Sequence, residues 1–206
     1  MSELAKKIKT KIENNKLEKE LKLLDSAYKL YSSKGINNTS IQDIVNDAGV
    51  AKGTFYLYFK DKYDLEKNLV IKKSNELFHK ALSKLNTDVI NKFDDQLIFV
   101  IDNVIDELNS NHDLIKLIYK DLSFGFYNNG INTIIDNDEI GISETFMKGI
   151  KDNNVKLENP EVVLYMIIEL VGSTVFNSIV KEIPLPINEY KPYLYKTIRV
   201  LLNENK

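Results

Sequence analysis

The chain has 206 residues, of which 43% are hydrophobic and 28% are charged, so it holds enough apolar material for a folded core. It has no cysteine, which excludes a disulfide scaffold, a cysteine-ligated metal and a thiol nucleophile, and its two histidines, His79 and His112, argue against a histidine-rich metal site. No uninterrupted apolar run approaches about 18 residues, so we expect no membrane span. The N-terminus lacks the apolar core of a signal peptide, which predicts a cytoplasmic protein.

The net charge of −2 hides an asymmetry between the two parts of the chain. Residues 1–75 carry a net charge of +5, and residues 76–206 carry a net charge of −7. A basic first third joined to an acidic remainder indicates that the N-terminal part meets a polyanion. The alternative is that the difference is ordinary variation in surface charge.

Nearly every segment shows helical periodicity and no run alternates like a β-strand, which predicts an all-α fold of about nine helices. Thr39 and Ser40 are good N-cap residues, and Gln42 completes a capping-box pattern with Thr39. Pro160 is expected to be the first residue of a long apolar helix, and Pro192 to lie in or just before the first turn of the last helix. The predicted helices span 17–34, 40–47, about 51–59, 61–85, 88–109, 111–127, 142–153, 160–181 and 188–204.

Two short helices around the turn Ala48-Gly49-Val50, preceded by a longer helix, fit a helix-turn-helix. The glycine permits the sharp turn. The second short helix would enter the major groove of DNA by its N-terminal residues. The side chains expected to pack these helices together are Ile41, Ile44, Val50 and Phe55.

The second short helix opens with Lys52, Gly53 and Thr54. Glycine near the start of a helix costs roughly 1 kcal/mol relative to alanine, which a buried helix has no reason to accept. A backbone that must lie close to DNA has such a reason, and Lys52 can reach a phosphate or a guanine edge. The aromatic string that follows can be simple core. We assign Phe55 and Phe59 to the core and the tyrosines to function.

Residues 39–65 read TSIQDIVNDAGVAKGTFYLYFKDKYDL, which contains the pattern I-x-x-x-A-G-V-x-x-G-x-x-Y-x-Y-F-x-x-K-x-x-L. This stretch resembles the signature of the TetR family of bacterial transcriptional repressors. The rest of the chain resembles that family only in the number and order of its helices. The resemblance implies a three-helix DNA-binding domain with a helix-turn-helix in residues 1–62, and a larger helical ligand-binding and dimerisation domain in residues 63–206.

The same resemblance implies roles for individual residues in a protein that binds a palindromic operator of double-stranded DNA. Lys62 matches a phosphate-bound lysine, so Lys62→Ala should weaken binding to all DNA alike and flatten its salt dependence. Ala51 departs from the family's usual serine, which removes a phosphate-binding hydroxyl and a helix cap. The implied phosphate contacts are Ser40, Tyr56, Tyr58 and Lys62. The implied candidates for base readout are Gln42, Lys52 and Thr54, with Gly53 allowing close approach.

The N-terminal lysines could add further contacts to DNA. The alternative is that they only lie in a solvated helical turn. These lysines are Lys6, Lys7, Lys9 and Lys11.

The larger part is expected to form a homodimer and to bind a small-molecule effector, as members of that family do. The helix at 160–182 is apolar nearly all round, and with the helix at 188–204 it is our candidate for a symmetric four-helix interface, unless both pack only within the monomer. An effector pocket is expected among the helices at 61–153. Its candidate lining residues are Phe93, His112, Tyr119, Phe124 and Tyr127, each of which can instead belong to the core.

The combined prediction is a cytoplasmic, ligand-responsive repressor without a cofactor, a metal or a membrane segment. An enzyme is disfavoured because the sequence offers no nucleophile–base signature, metal motif or phosphate-binding loop. Two alternatives stay open. One is a helical regulator controlled by a protein partner, and the other is an activator with the same fold.

Overall fold

The computed structural model describes residues 3–119 and 142–203, with side chains from residue 14 onward. Within these residues the chain forms nine α-helices and no β-strand, which confirms the predicted all-α fold. The helices are α1 (Glu3–Lys34), α2 (Ile41–Ala48), α3 (Lys52–Phe55), α4 (Lys62–Leu82), α5 (Phe93–Ser110), α6 (His112–Ile118), α7 (Ile142–Asp152), α8 (Pro160–Val180) and α9 (Ile187–Leu202).

The chain divides into two compact units, Met1–Leu69 and Val70–Lys206. Helix α4 supplies Leu65 and Leu69 to the buried residues of the first unit, and Leu77 and Phe78 to those of the second. The assignment of DNA binding to residues 1–62 and of regulation to residues 63–206 stays a prediction.

The first unit packs α1, α2, α3 and the start of α4 around one small core. Gly49 ends α2 in the left-handed conformation, with φ of 66°, and its N–H and that of Val50 bond carbonyls of the last turn of α2. This is the turn that the sequence predicts between the two short helices. The largest fully buried side chains here are Leu23, Ile44, Val45, Phe55, Leu65 and Leu69.

Three local predictions for the first unit are wrong. Helix α1 begins at Glu3 rather than at residue 17, and α3 is a single turn that ends at Phe55, with residues 56–58 in a turn. The cap of α2 is a capping box between Ser40 and Asp43, not between Thr39 and Gln42. Thr39 is instead buried, and its hydroxyl donates to the carbonyl of Gly35 at 2.8 Å, which leaves the exposed Ser40 as the cap.

The second unit is a helical cluster with α8 at its centre. Asn159 caps α8 by accepting from the N–H of Val162, and Pro160 is in the first turn as predicted. Pro192 lies inside α9 as its sixth residue, rather than in its first turn, because α9 begins at Ile187 directly after Pro186. The buried side chains of α8 are Val163, Leu164, Ile167, Ile168, Val171, Val175, Ser178 and Ile179.

Helices α5 and α9 run antiparallel and are joined by ion pairs. Arg199 donates to Asp94 and to Asp95, and Lys191 donates to Asp102 at 2.6 Å. Burial alone would raise the pKa of Asp102, but hydrogen bonds from Lys191 and Tyr195 outweigh it and lower that pKa. The same contacts raise the pKa of Lys191, although burial opposes them. Asp102 and Lys191 therefore stay ionised near neutral pH. The ion pairs between α5 and α9 fix the register of the two helices.

Helix α8 is long and apolar enough to cross a membrane by length and composition. A search for an uninterrupted apolar run of about 18 residues does not detect this helix, because Glu161 and Glu169 interrupt its apolar sequence. In the described structure α8 lies in the core of the second unit, and a core helix of a globular protein passes the same test of length and composition.

Candidate functional site

The start of α2 carries an exposed hydroxyl beside a fixed carboxylate. The Ser40 hydroxyl accepts from the N–H of Asp43 at 3.1 Å, and the N–H of Ser40 donates to the Asp43 carboxylate at 2.9 Å. This backbone hydrogen bond, followed by one from Lys34, lowers the pKa of Asp43 to about 2. The Ser40 hydroxyl still has its own hydrogen to donate, so it can bond a phosphate oxygen while it caps the helix.

Gln42 lies on the exposed surface of α2, one turn before Asn46. Its amide donates to the Asn46 side chain at 2.8 Å, which holds it along the helix surface. Reading a base edge would require Gln42 to exchange this hydrogen bond for one to DNA.

No side chain caps the start of α3. Ala51 occupies the N-cap position without a side-chain hydrogen bond, as expected where serine is replaced by alanine. Lys52 and Gly53 are exposed, and Thr54 is half-buried. A Cβ added at Gly53 would meet nothing within 4 Å, so packing within the described structure does not require a glycine here.

The aromatic string divides as predicted between core and surface. Phe55 is fully buried and Phe59 nearly so, with their rings 5.7 Å apart, whereas Tyr56 is 54% exposed. Tyr58 is half-buried, and burial followed by the nearby Glu20 raises its pKa. Its hydroxyl therefore stays protonated and available as a donor.

Leu57, for which the sequence predicts no role, is 79% exposed between the two tyrosines. The helical pattern alone does not reveal it, because residues 56–58 form a turn rather than a continuation of α3. A leucine held this far out of the core offers an apolar contact to a base methyl group.

Lys62, at the first position of α4, has structural contacts that the sequence did not indicate. Its ammonium donates to the carbonyls of Ile36 at 2.9 Å and Thr39 at 3.2 Å, and its own carbonyl accepts from the Tyr31 hydroxyl at 3.0 Å. These bonds tie α1, the loop before α2 and α4 together. One of the three ammonium N–H groups remains for a phosphate.

The N-terminal lysines Lys6, Lys7, Lys9 and Lys11 belong to the backbone of α1, but their side chains lie outside the described ones. Two lysines further along α1 are engaged within the first unit. Lys34 pairs with Asp43 at 2.9 Å and Lys29 pairs with Asp47 at 2.5 Å, so neither brings a free charge to DNA.

The second unit contains an apolar cavity of about 80 Å³ between α4, α5, α7 and α8. Its lining includes Phe93, Phe146 and Gly149, and among the described residues Gln96 and Thr145 contribute the only polar side chains. None of the described residues that line this cavity is charged, so this lining suits an uncharged, apolar ligand.

The three predicted effector residues that the structure describes do not meet at one place. Phe93 lines the apolar cavity, whereas His112 is exposed at the first position of α6. Tyr119 stacks on Phe176 with ring centroids 3.8 Å apart and is not among the residues that line the cavity. Phe124 and Tyr127 lie outside the described residues.

A second, more open recess of about 590 Å³ lies beside the seam, by which we mean the contact between α5 and α9 that their ion pairs join. Asp95, Asp102 and Tyr195 line it together with Asn91, Lys92 and apolar residues of α5 and the preceding loop. Its carboxylates already bond Arg199, Lys191 and the Tyr195 hydroxyl, so we interpret it as part of the seam.

The helices predicted to form a dimer interface expose several large apolar side chains in the single chain. Tyr193 on α9 is 64% exposed. The others on these two helices are Val162, Tyr165, Met166, Val180 and Val200.

A three-helix unit with a glycine turn, a buried aromatic core and a bare, exposed helix start defines the helix-turn-helix class of DNA-binding proteins. Residues 23–68 match the family described as bacterial regulatory proteins, tetR family. Residues 23–68 therefore carry a DNA-binding domain of that family's type, and the curated relatives that match this chain are HTH-type transcriptional regulators.

Curated relatives and solved structures agree with this assignment. YvdT of Bacillus subtilis, an HTH-type transcriptional regulator, is 34% identical over 112 residues, which are 50% of this chain and 52% of YvdT. AcrR of Shigella flexneri is 34% identical over 88 residues, 41% of each chain. The chain thus spans about half the length, or less, of these relatives.

The fold of the second unit is also found among solved structures. A TetR-family regulator from Syntrophomonas wolfei has a TM-score of 0.63 at 20% identity, over 90% of this chain and 95% of that one. FadR of Bacillus subtilis, solved in complex with stearoyl-CoA, has a TM-score of 0.56 at 18% identity, over 90% and 99% of the two chains. At these identities the likeness establishes the fold alone.

Proposed function

We propose that this protein is a cytoplasmic, sequence-specific transcriptional repressor that binds a palindromic operator as a homodimer and is released by a small-molecule effector. The observation that supports DNA binding most directly is Gly53. It lies exposed in α3 beside Lys52, and nothing in the described structure within 4 Å requires the missing side chain. The free energy lost by placing glycine in a helix is explained if the α3 backbone must lie against DNA.

In this proposal two groups of residues have different roles in DNA recognition. Ser40, Tyr56, Tyr58 and Lys62 contact phosphates and set the orientation of the protein. Gln42, Lys52 and Thr54 reach base edges, and Gly53 lets the helix approach.

The homodimer forms through the helices at 160–182 and 188–204. The exposed apolar side chains of α8 and α9 support this, because such a surface is stable in water when a second copy covers it. Two recognition helices would then read half-sites related by two-fold symmetry.

The effector site we propose is the apolar cavity that Phe93 lines. The uncharged lining that the structure describes supports a ligand with an apolar part, and FadR of Bacillus subtilis, which has the same fold, was solved in complex with stearoyl-CoA, a ligand with a long acyl chain. Helix α4 carries residues of both units, so a ligand that favours one conformation of α4 would shift the population of operator-bound states.

Substitution of Gly53 separates folding from DNA binding. Gly53→Ala should leave the free energy of unfolding unchanged or raise it by up to about 1 kcal/mol, because alanine favours a helix and the space is open. Gly53→Leu should abolish specific operator binding in gel-shift titrations on DNA selected from the organism's own genome. Asn109→Leu, at an exposed position of α5, is the matched control.

Operator affinity that is unchanged in Gly53→Leu would refute this placement of α3. Transcription from the selected operator, with and without the protein, distinguishes repression from activation. If the purified protein shows no salt-sensitive binding to any DNA, regulation by a protein partner becomes the better hypothesis.

A further inference from the structure

The apolar cavity is too small for a complete effector as the structure describes it. Its volume of about 80 Å³ is below the roughly 150 Å³ of an engineered cavity that binds benzene, and far below the several hundred Å³ of typical ligand pockets. Binding there requires one wall to move. This inference rests on the proposed effector site and asks which wall moves.

Phe93 is a wall residue that lies at the end of a helix, next to irregular structure. It is the first residue of α5 and follows residues 83–92, which form turns and irregular structure, whereas Phe146 and Leu164 sit inside α7 and α8. A side-chain hydrogen bond ties this loop to α5, from the Gln96 amide to the Ile90 carbonyl at 2.7 Å.

The ring of Phe93 occupies a notch that exists because residue 149 is glycine. A Cβ built on Gly149 would lie 2.3 Å from the Cε2 atom of Phe93 and 2.8 Å from its Cδ2 atom. Beside the notch, the rings of Phe93 and Phe146 have centroids 5.5 Å apart. Glycine within α7 costs helix stability, and here the close seat of the Phe93 ring explains it.

We propose that Phe93, seated on Gly149, closes one end of the effector cavity and sets the length of the aliphatic ligand that the protein accepts. The ligand class is an uncharged or weakly polar hydrocarbon chain, because Gln96 and Thr145 are the only polar side chains in the part of the lining that the structure describes. A ligand enters further when the ring moves away from the cavity, and less far when the ring is pushed into it. Substitutions at residues 93 and 149 therefore change the permitted chain length rather than the chemistry of the ligand.

The test measures binding of straight-chain 1-alkanols, from butanol to tetradecanol, to the full-length protein by calorimetry. Affinity of the wild-type protein should rise about fourfold per methylene, up to a length limit. Phe93→Ala should move that limit to a longer alkanol. Alkanols just beyond the wild-type limit should bind this variant at least about tenfold more tightly than they bind the wild type. Phe99→Ala, on the same helix but lining the other recess, is the matched control and should leave the limit unchanged.

Gly149→Ala supplies a second and opposite perturbation. The added methyl group displaces the Phe93 ring from its notch towards the cavity, so the limit should move to a shorter alkanol. In a Phe93→Ala background the same change should have little effect, because the ring it displaces is gone. If Phe93→Ala does not fold, as judged by its thermal melt, Phe93→Leu and Gly149→Ala carry the same comparison.

Two outcomes overturn the inference, and they differ in what they leave standing. If alkanols bind the wild type and release the operator, but the limit is the same in the Phe93 and Phe99 variants, the role of Phe93 is wrong and the effector site stands. If no alkanol binds the wild type or any variant, both the inference and the cavity as effector site fail. The proposal that the protein binds an operator stands under either result.

Discussion

Replacement of Lys62 by methionine tests the structural contacts and the DNA contact of one side chain together. Methionine keeps the apolar stem of the lysine and removes its ammonium, so the carbonyls of Ile36 and Thr39 lose their common donor. Lys62 lies within the first unit, at the start of α4, where these bonds hold the loop that precedes Ser40. The substitution should therefore affect both the stability of this unit and its affinity for DNA.

The two effects have separate magnitudes. A hydrogen bond from a charged donor contributes about 1.5–3 kcal/mol, and because Lys62 is partly exposed we expect a loss of about 2 kcal/mol for the two bonds together. Each phosphate contact to duplex DNA contributes about 0.9 to the slope of log affinity against log salt. A dimer has two such lysines, so the slope should become shallower by about 1.8.

Urea denaturation of the full chain measures the first effect, and gel-shift titrations over a range of salt concentrations measure the second. The matched control is Lys22→Met, which removes a lysine that makes only a surface pair with Glu18, at 2.7 Å along α1. This control should change the free energy of unfolding by less than about 1 kcal/mol.

The two readouts can disagree in an informative way. A weaker affinity with an unchanged salt slope would show that Lys62 only positions α2 and touches no phosphate. Unchanged stability would show that its two hydrogen bonds contribute nothing net, which would refute the structural part of the reasoning.

Three further predictions concern folding, acid stability and assembly. Phe55→Ala should lower the free energy of unfolding of the first unit by about 3–5 kcal/mol, because Phe55 is fully buried, and urea denaturation measures this. The pKa of Asp43 falls to about 2 on folding, so its contribution is present above the ordinary carboxyl value and is lost as pH falls towards 2; Asp43→Asn should flatten the acid side of the stability profile. Tyr193→Asp places a charge on the exposed face of α9 and should give monomers in analytical ultracentrifugation, whereas a wild-type monomer would contradict the proposed dimer.

The helices and the turn of the DNA-binding unit could be predicted from the sequence because their signals are local. Gly49 ends α2, Pro160 starts α8, and the alternation of Phe and Tyr after Gly53 separates core from surface. Each of these features depends on residues within one or two turns of each other. Local patterns fail where two neighbours compete for one role, as Thr39 and Ser40 do for the cap of α2.

Only the tertiary structure decided which side chains serve the fold and which remain for function. Lys62 meets the carbonyl of Ile36 across 26 residues, and no spacing rule indicates that its ammonium is largely engaged there. Phe93 and Gly149 lie in different helices, so the notch that joins them is invisible in either segment alone. The physical reason is the same in both cases: close packing and hydrogen bonding depend on distances in space, which the sequence specifies only through the complete fold.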